Sequence, residues 1–276
     1  MRSAARTAFL AIAAAAPAFS QATPSDRPAF EAATVKPSPE GDRAAINATT
    51  GLLTLRHVSL RLLISVAWKI RPALITGGPA WIDSAFFEVQ GKAAGPTGAD
   101  AMFLMLQTLL EDRFRLKVHR EKKEGPVYNL TVAKGGPRLK TATCVPFDPN
   151  HLPRQTAPGE TPVNYCGRIN RTVDGSLRKM DFLGVGIGTS TTLPIESLAD
   201  QLSGLIERTV IDKTGLSGIF DFQLEWADQA GAAQPGDSIG PSIFTAVQEQ
   251  LGLKLDSARG PIGYLAVDRA EKPSGN

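Results

Sequence analysis

The sequence predicts an α+β fold in which two related units of short helices packed on antiparallel strands each end in a β-hairpin. Three observations support this fold class. Apolar residues recur at helical spacing in short segments, alternating segments follow them, and the same order of segments occurs twice. The units are predicted at residues 23–140 and 177–276, joined by a cysteine-bearing linker at 141–176.

Four short helices are predicted from apolar residues spaced three and four apart. The apolar positions are Leu60, Leu63 and Ala67; Met102, Met105, Leu106, Leu109 and Leu110; Leu198, Leu202, Leu205 and Ile206; and Ile243, Phe244, Val247 and Leu251. Asp100 and Ser242 are predicted to cap two of these helices at their N-termini, and Gly252 is predicted to end the last one.

The last helix of each unit is predicted to lead into a β-hairpin. Alternating segments flank Gly125-Pro126 in the first unit and Gly260-Pro261 in the second, and Gly-Pro is a common turn signal. Further strands are predicted at Phe86–Val89 and Phe220–Trp226, each after a turn that contains glycine.

Three phrases recur in the same order in both units, which predicts an internal duplication. The paired phrases are Phe103–Leu110 with Phe244–Leu251, Leu116–Val118 with Leu253–Leu255, and Gly125–Val132 with Gly260–Val267. One such match could arise by chance, but three in order favour a common origin.

The composition is that of a globular protein with an ordinary core. The chain has 276 residues, of which 42% are hydrophobic and 21% are charged. These values exclude a disordered tail, a coiled coil and a collagenous fibre.

The N-terminus is predicted to be a secretory signal peptide at residues 1–22. Arg2 and Arg6 precede a short apolar segment, and the expected cleavage site follows Ala22. A membrane anchor is the alternative, but the apolar segment is short and contains Pro17. The mature chain is therefore predicted to have no membrane span and to work in the periplasm or outside the cell.

Cleavage also changes the charge of the protein. Loss of Arg2 and Arg6 lowers the formal net charge from +3 to +1. A chain this close to neutral lacks the basic surface of a nucleic-acid-binding protein, so no nucleic-acid partner is predicted.

Cys144 and Cys166 are predicted to form a disulfide, because export places them in an oxidising compartment. The alternative is a metal site formed by Cys144, His151 and Cys166. That site would have only three ligands at an unfamiliar spacing.

No catalytic, cofactor-binding or metal-binding residue is predicted. The histidines are His57, His119 and His151, and the sequence does not contain the His-Glu-x-x-His motif of zinc hydrolases. A Ser/His/Asp triad scattered along the sequence stays open, since its members need not be neighbours in sequence.

The most basic segment runs from Arg113 to Lys123, and its alternation predicts basic side chains on one face of a strand. One interpretation is a solvated edge strand that its lysines protect from aggregation. The other is a docking surface for an acidic partner or an anionic envelope polymer, formed by Arg115, Lys117, Lys122 and Lys123.

A resemblance covers nearly the whole mature chain. Its phrases are Phe30–Ser38, Gly77–Trp81, Leu109–Glu121, Val127–Lys140, Val210–Phe222, Gln248–Leu255 and Gly260-Pro261 through Pro273. These phrases resemble the exported paralogue family of unknown function found in acidobacteria, often called the Soli family. The resemblance implies export, but the family has no established biochemical activity and no assigned catalytic residues, so it points to no reaction.

A weaker similarity links Leu198–Leu202, Thr214–Gly218 and Phe244–Leu255 to the short N-terminal domain of secretins and TonB-dependent receptors. Those domains are small α+β units that bind protein partners in the periplasm. The sequence therefore favours a non-enzymatic interaction or sensing module of the cell envelope, whose partner would be an envelope protein. The alternative is an envelope hydrolase with scattered catalytic residues. The oligomeric state is not predicted.

Overall fold

The computed structural model describes residues 27–39, 43–49, 51–145, 166, 168–174, 177–187, 197–227 and 240–273. The predicted signal peptide and most of the predicted linker, including His151, lie outside these residues.

The described residues form an α+β fold, as predicted. The strands are β1 (Ala32–Pro37), β2 (Ala45–Thr49), β3 (Leu52–Ser59), β4 (Ile75–Gly77), β5 (Phe86–Lys92), β6 (Lys117–Val132), β7 (Lys140–Thr141), β8 (Arg168–Asp174), β9 (Leu177–Ile187), β10 (Val210–Asp212), β11 (Gly218–Ala227) and β12 (Leu253–Arg269). The helices are α1 (Leu60–Trp68), α2 (Trp81–Ser84), α3 (Ala99–Arg113), α4 (Leu198–Leu205) and α5 (Ile243–Leu251), with a 3-10 turn at Pro72–Leu74. None of these helices, within the residues described, is long and apolar enough to cross a membrane.

The strands form three four-stranded sheets. The first has the order β1-β5-β3-β2, the central sheet β10-β6-β12-β4, and the third β7-β11-β9-β8. All pairings within the first and third sheets are antiparallel, whereas β4 and β10 join the central sheet in parallel. β7 and β8 lie at opposite edges of the third sheet, and β8 falls within the predicted linker.

Serine hydroxyls begin three of the helices. The Oγ atoms of Ser59, Ser197 and Ser242 accept hydrogen bonds from backbone N–H groups in the first turns of α1, α4 and α5. Ser242 is thus confirmed as a cap, and Gly252 ends α5 in the left-handed conformation, with φ of 66°. The predicted cap Asp100 is wrong, because Gly98 is the N-cap of α3 and Asp100 lies in its first turn.

The predicted hairpins are also wrong. β6 runs without interruption through Gly125-Pro126, and β12 runs through Gly260-Pro261. The two long strands pair with each other in antiparallel register, with Gly125 opposite Gly260. Each Gly-Pro pair therefore lies in the middle of a strand.

Close packing explains why glycine occupies these two positions. Neither glycine has a positive φ. A Cβ atom on Gly125 would lie 2.7 Å from Cδ1 of Ile262, and one on Gly260 would lie 3.0 Å from Cδ1 of Ile211. These glycines provide space for neighbouring side chains and do not form turns.

Among the residues that the structure describes, two clusters of buried hydrophobic side chains form cores, and each long strand contributes to both. Core 1 lies among β3, α1, β5 and α3 and includes Leu265 and Val267 from the C-terminal part of β12. Core 2 lies among β9, α4, β11 and α5 and includes Leu130 from the C-terminal part of β6. The last part of each long strand thus packs in the core of the other unit.

The halves of the chain have the same order of elements. Each runs strand, helix, short strand, strand, helix and long strand, as β3-α1-β4-β5-α3-β6 and as β9-α4-β10-β11-α5-β12, apart from the additional α2 and 3-10 turn in the first half. The first and third sheets also share their strand order. The internal duplication itself stays a prediction.

Candidate functional site: a saddle on the central sheet

Both cores lie against the same face of the central sheet. Residues directly opposite each other in an antiparallel pair share a face, and side chains alternate between faces along a strand. Val118 lies opposite Val267 in core 1, and Leu130 lies opposite Leu255 in core 2. Even-numbered residues of β6 and odd-numbered residues of β12 therefore form the face that carries both cores.

The middle of this face is exposed between the two cores. We call it the saddle, and it comprises Arg120, Lys122, Glu124 and Pro126 of β6 and Ser257, Arg259, Pro261 and Gly263 of β12. All of these residues are exposed. A Cβ atom built on Gly263 would find no atom within 4 Å, so the space above this end of the saddle is open.

One edge of the saddle is an open sheet edge. β10 pairs with β6 only at Tyr128–Leu130. Along Lys117–Glu124, no strand among the described residues pairs with the side of β6 that faces away from β12. We call this backbone segment the open edge. Unpaired strand edges can form hydrogen bonds with another extended chain.

Hydrogen bonds between β6 and the residues on either side of β10 show which residues of the open edge direct their backbone groups outward. Tyr128 donates its N–H to Thr209, at 2.9 Å, and Leu130 accepts from the N–H of Lys213, also at 2.9 Å. The register of β6 against β12 shows no bulge from Leu253 to Val267. Because backbone direction alternates along a strand, Val118, Arg120, Lys122 and Glu124 also direct their N–H and C=O groups outward. These even-numbered residues supply the free backbone groups.

The two prolines of the saddle follow the same alternation of backbone direction. Pro126 is even-numbered on β6, and Pro261, opposite Glu124, is odd-numbered on β12. Each therefore occupies a position whose backbone faces away from the partner strand, where the missing N–H breaks no β6–β12 hydrogen bond. Pro126 lies two residues beyond the open edge and has no N–H to donate outward.

The saddle carries an excess of positive charge. Arg120, Lys122 and Arg259 contribute cations, and Glu124 is the only saddle carboxylate. Directly opposite the first two cations lie Leu265 and Gly263, which are uncharged. Within the described part of the chain, none of the three cations forms an ion pair.

The opposite face of β6 is closer to neutral. Lys117 and Lys123 lie on it, and Lys123 forms an ion pair with Glu121 at 2.7 Å. His119 on the same face bonds Asp268 at 2.9 Å. The prediction that Arg115, Lys117, Lys122 and Lys123 share one face is therefore wrong. Lys122 lies on the saddle, and Arg115 precedes β6 with φ of 49°.

The His119–Asp268 pair predicts a pH dependence at the start of the β6–β12 ladder. The hydrogen bond to Asp268 and then its negative charge raise the pKa of His119; desolvation lowers it, Glu121 raises it and Lys123 lowers it. The stabilisation is therefore fully present below the ordinary histidine pKa of about 6.5 and is lost as the pH rises through the higher pKa of the folded state. In an NMR titration, Asp268→Asn should lower the pKa of His119. An unchanged midpoint would contradict the contact.

A serine–histidine pair lies at the first sheet. Ser38 Oγ is 3.1 Å from His57 Nδ1, and the imidazole stacks on Phe86 with ring centroids 4.3 Å apart. His57 has φ of 48° at a bulge in β3. No carboxylate within the described ranges bonds this histidine, so the third member of a catalytic triad is not part of the arrangement described.

A groove of about 540 Å³ lies beside the third sheet. Its polar lining includes Arg138, Lys140, Asn170, Asp181, Asp221 and Gln223. Gln223 donates a hydrogen bond to Asp181 at 2.5 Å, and Lys140 lies opposite Asp221 in the strand register. Each of the two carboxylates therefore has a cross-strand neighbour within the third sheet. We assign no reaction to the groove.

The predicted disulfide is confirmed. The sulfur atoms of Cys144 and Cys166 are bonded, and their Cα atoms are 5.1 Å apart. The alternative metal site is wrong, since a disulfide leaves neither thiolate to bind a metal. Elsewhere in the described ranges, no group of three metal-ligating side chains lies together.

Sequence reasoning found the basic part of β6 but missed the contribution of β12. Arg259 and Pro261 belong to the saddle only because β12 pairs along the full length of β6. The repeated Gly-Pro pair is the available signal in the sequence, but it predicts a turn.

Comparison with known proteins gives one family match. The family described as "Protein of unknown function (DUF3738)" matches residues 61–270. No curated protein and no solved structure matches the chain.

Proposed function

The chain belongs to the DUF3738 family of proteins of unknown function, and since that membership names no activity, we propose a function from the geometry. The protein is a non-enzymatic interaction module that binds an extended segment of an envelope protein by adding it as a strand to the open edge. The observation that carries this proposal is the row of outward backbone groups at Val118, Arg120, Lys122 and Glu124.

Strand addition suits this edge for two reasons. Backbone hydrogen bonds supply affinity for any extended segment, and side-chain contacts on alternate residues supply selectivity. The paired strand β12 holds β6 in its extended conformation over its whole length. The binding edge is therefore preorganised. Only the partner segment would lose conformational freedom on binding.

Export supports a location in the cell envelope. The predicted signal peptide at residues 1–22 and the Cys144–Cys166 disulfide both fit an oxidising compartment. We place the protein in the periplasm or outside the cell on these grounds.

The similarity to the short N-terminal domain of secretins and TonB-dependent receptors supports the same type of function. The resemblance to the exported acidobacterial paralogues supports export. The shared strand order of the first and third sheets supports an origin by internal duplication. An alignment of the two halves across many relatives would test that origin.

Two proline substitutions test strand addition at adjacent residues. Lys122→Pro removes an outward N–H and should leave the β6–β12 ladder intact, so its free energy of unfolding should stay within about 1 kcal/mol of wild type. Lys123→Pro removes an N–H that faces β12 and should cost about 1–3 kcal/mol, because a buried acceptor loses its donor. Chemical denaturation measures both values.

Binding is measured by selection from a library of random peptides of about ten residues, long enough to cover the open edge. The purified protein should enrich extended sequences, and Lys122→Pro should lose that enrichment while it keeps wild-type stability. Failure of wild type to enrich any peptide would overturn the proposal, as would enrichment that Lys122→Pro leaves unchanged.

The second candidate function is an envelope hydrolase, which the contact between Ser38 and His57 favours. An activated serine should react covalently with a fluorophosphonate probe, and Ser38→Ala should abolish the labelling. We expect wild type to remain unlabelled, because no carboxylate in the described ranges orients His57. Labelling at Ser38 would replace the interaction module with a hydrolase.

A further inference from the structure

We infer that the segment bound at the open edge is acidic, with carboxylates on alternate residues placed over the saddle. This inference rests on the proposed strand addition and adds the chemistry of the partner. Arg120 and Lys122 are the two cations nearest the open edge on the saddle face, and each directs its own backbone groups toward the incoming strand.

Strand geometry places alternate side chains of the partner over these cations. An added strand lies about 4.8 Å from β6, and its side chains alternate between the two faces with a repeat of about 6.6 Å. Arg120 and Lys122 have the same two-residue spacing on β6. Successive saddle-facing residues of the partner therefore lie beside successive cations, within the range of cross-strand ion pairs.

The existing contacts of β6 leave these charges available. On the opposite face, Glu121 neutralises Lys123, and Asp268 bonds His119. On the saddle face, Arg120 lies opposite Leu265, and Lys122 lies opposite Gly263. Arg259 adds a further cation across the ladder from Pro126. A carboxylate-bearing partner supplies the anions that the saddle lacks, and since the cations are exposed, binding them requires little desolvation.

The same charges disfavour the other occupants. A second copy of this chain would place one cationic saddle edge against another, and like charges across a strand pair are destabilising. A neutral segment would use the backbone groups alone. An anionic polymer without a peptide backbone would use the charges alone and would not need the N–H of Lys122.

The test is to determine the sequences of the peptides that the purified protein selects from the random library. We expect Asp or Glu at alternate positions of the enriched peptides. A synthetic copy of the best acidic peptide should bind Arg120→Glu/Lys122→Glu about tenfold or more weakly than wild type, with the weaker salt dependence of an interface that has lost its ion pairs. The matched control is Lys36→Glu/Lys92→Glu, which makes an equal change in charge on the first sheet and should bind as wild type does.

The outcomes separate the inference from the proposed function. Enriched peptides without an acidic pattern, lost on Lys122→Pro, would keep strand addition and overturn the acidic partner. Equal losses for both Glu double variants would also overturn it, because they would show a general effect of net charge. Acidic peptides that bind Lys122→Pro normally would overturn strand addition. Circular dichroism of each variant establishes that its fold is intact.

Discussion

Leu265→Ala should lower the free energy of unfolding by about 2–5 kcal/mol and should open core 1, although Leu265 lies in the last strand of the chain. The side chain is 1% exposed and packs in core 1. Removing a buried leucine side chain loses its transfer free energy and leaves a cavity. Because β12 pairs with β4 at this position, the substitution acts on elements of the first half.

Leu253→Ala is the matched control on the same strand. Leu253 is fully buried but packs in core 2. Amide hydrogen exchange should therefore show lost protection in α1 and α3 for Leu265→Ala, and in α4 and α5 for Leu253→Ala. Loss of protection confined to α4 and α5 in both variants would contradict the packing of the last part of β12 in core 1.

Loss of the disulfide should cost about 3 kcal/mol. Cys144 and Cys166 are separated by 22 residues. A cross-link across a loop of this size restricts the unfolded chain by about that amount in the chain-entropy description. The N–H of Cys166 also donates to the carbonyl of Val145, at 2.9 Å, so the cross-link holds two segments that pair locally.

The measurement compares denaturation of the oxidised protein with that of Cys144→Ser/Cys166→Ser. The intact mass should be two hydrogens below the reduced value, and neither thiol should react with an alkylating reagent before reduction. Leu253→Ala in the oxidised protein serves as the reference for a pure core effect, since it leaves the cross-link in place. Full alkylation of the native protein without reductant would contradict the disulfide.

Helix prediction succeeded where the decisive contacts are local. Ser242 caps α5 and Gly252 ends it, because a hydroxyl and a left-handed glycine act within one turn of the backbone. The apolar spacing of Leu60, Leu63 and Ala67 likewise predicts the buried side of α1. Asp100 is not the cap because the helix begins two residues earlier, after the extended backbone of Gly98, which leaves Asp100 in the first turn.

Hairpin prediction failed because Gly-Pro has two physical uses that look alike in a sequence. Glycine and proline occur in turns, and they also occur where packing is tight or where a strand needs no outward donor. Gly125 packs against the side chain of Ile262. Pro126 lies where the backbone of β6 faces away from β12, so its lack of an N–H breaks no hydrogen bond to β12. The alternation of residue types on either side of Gly125-Pro126 predicts two strands, whereas the structure has one continuous strand there.

The candidate site can be predicted only in part from the sequence. The basic character of Arg120, Lys122 and their neighbours is visible in the sequence, as is their alternation with other residues. The face that each cation occupies depends on where β6 begins and on its register with β12. Those two facts place Lys122 on the same face of the sheet as Arg259 and leave Lys123 with Glu121 on the other face.

The sequence by itself determined the α+β class, four of the helices, the Ser242 cap and the pair of cysteines, because each follows from residues close together in the chain or from composition. The tertiary structure decided that β6 and β12 pair along their whole length, that both cores share one face of the central sheet, and that an exposed saddle with an open edge lies between them. Strand partners are chosen by packing between distant segments, and short-range alternation carries no information about which segment will pair with which.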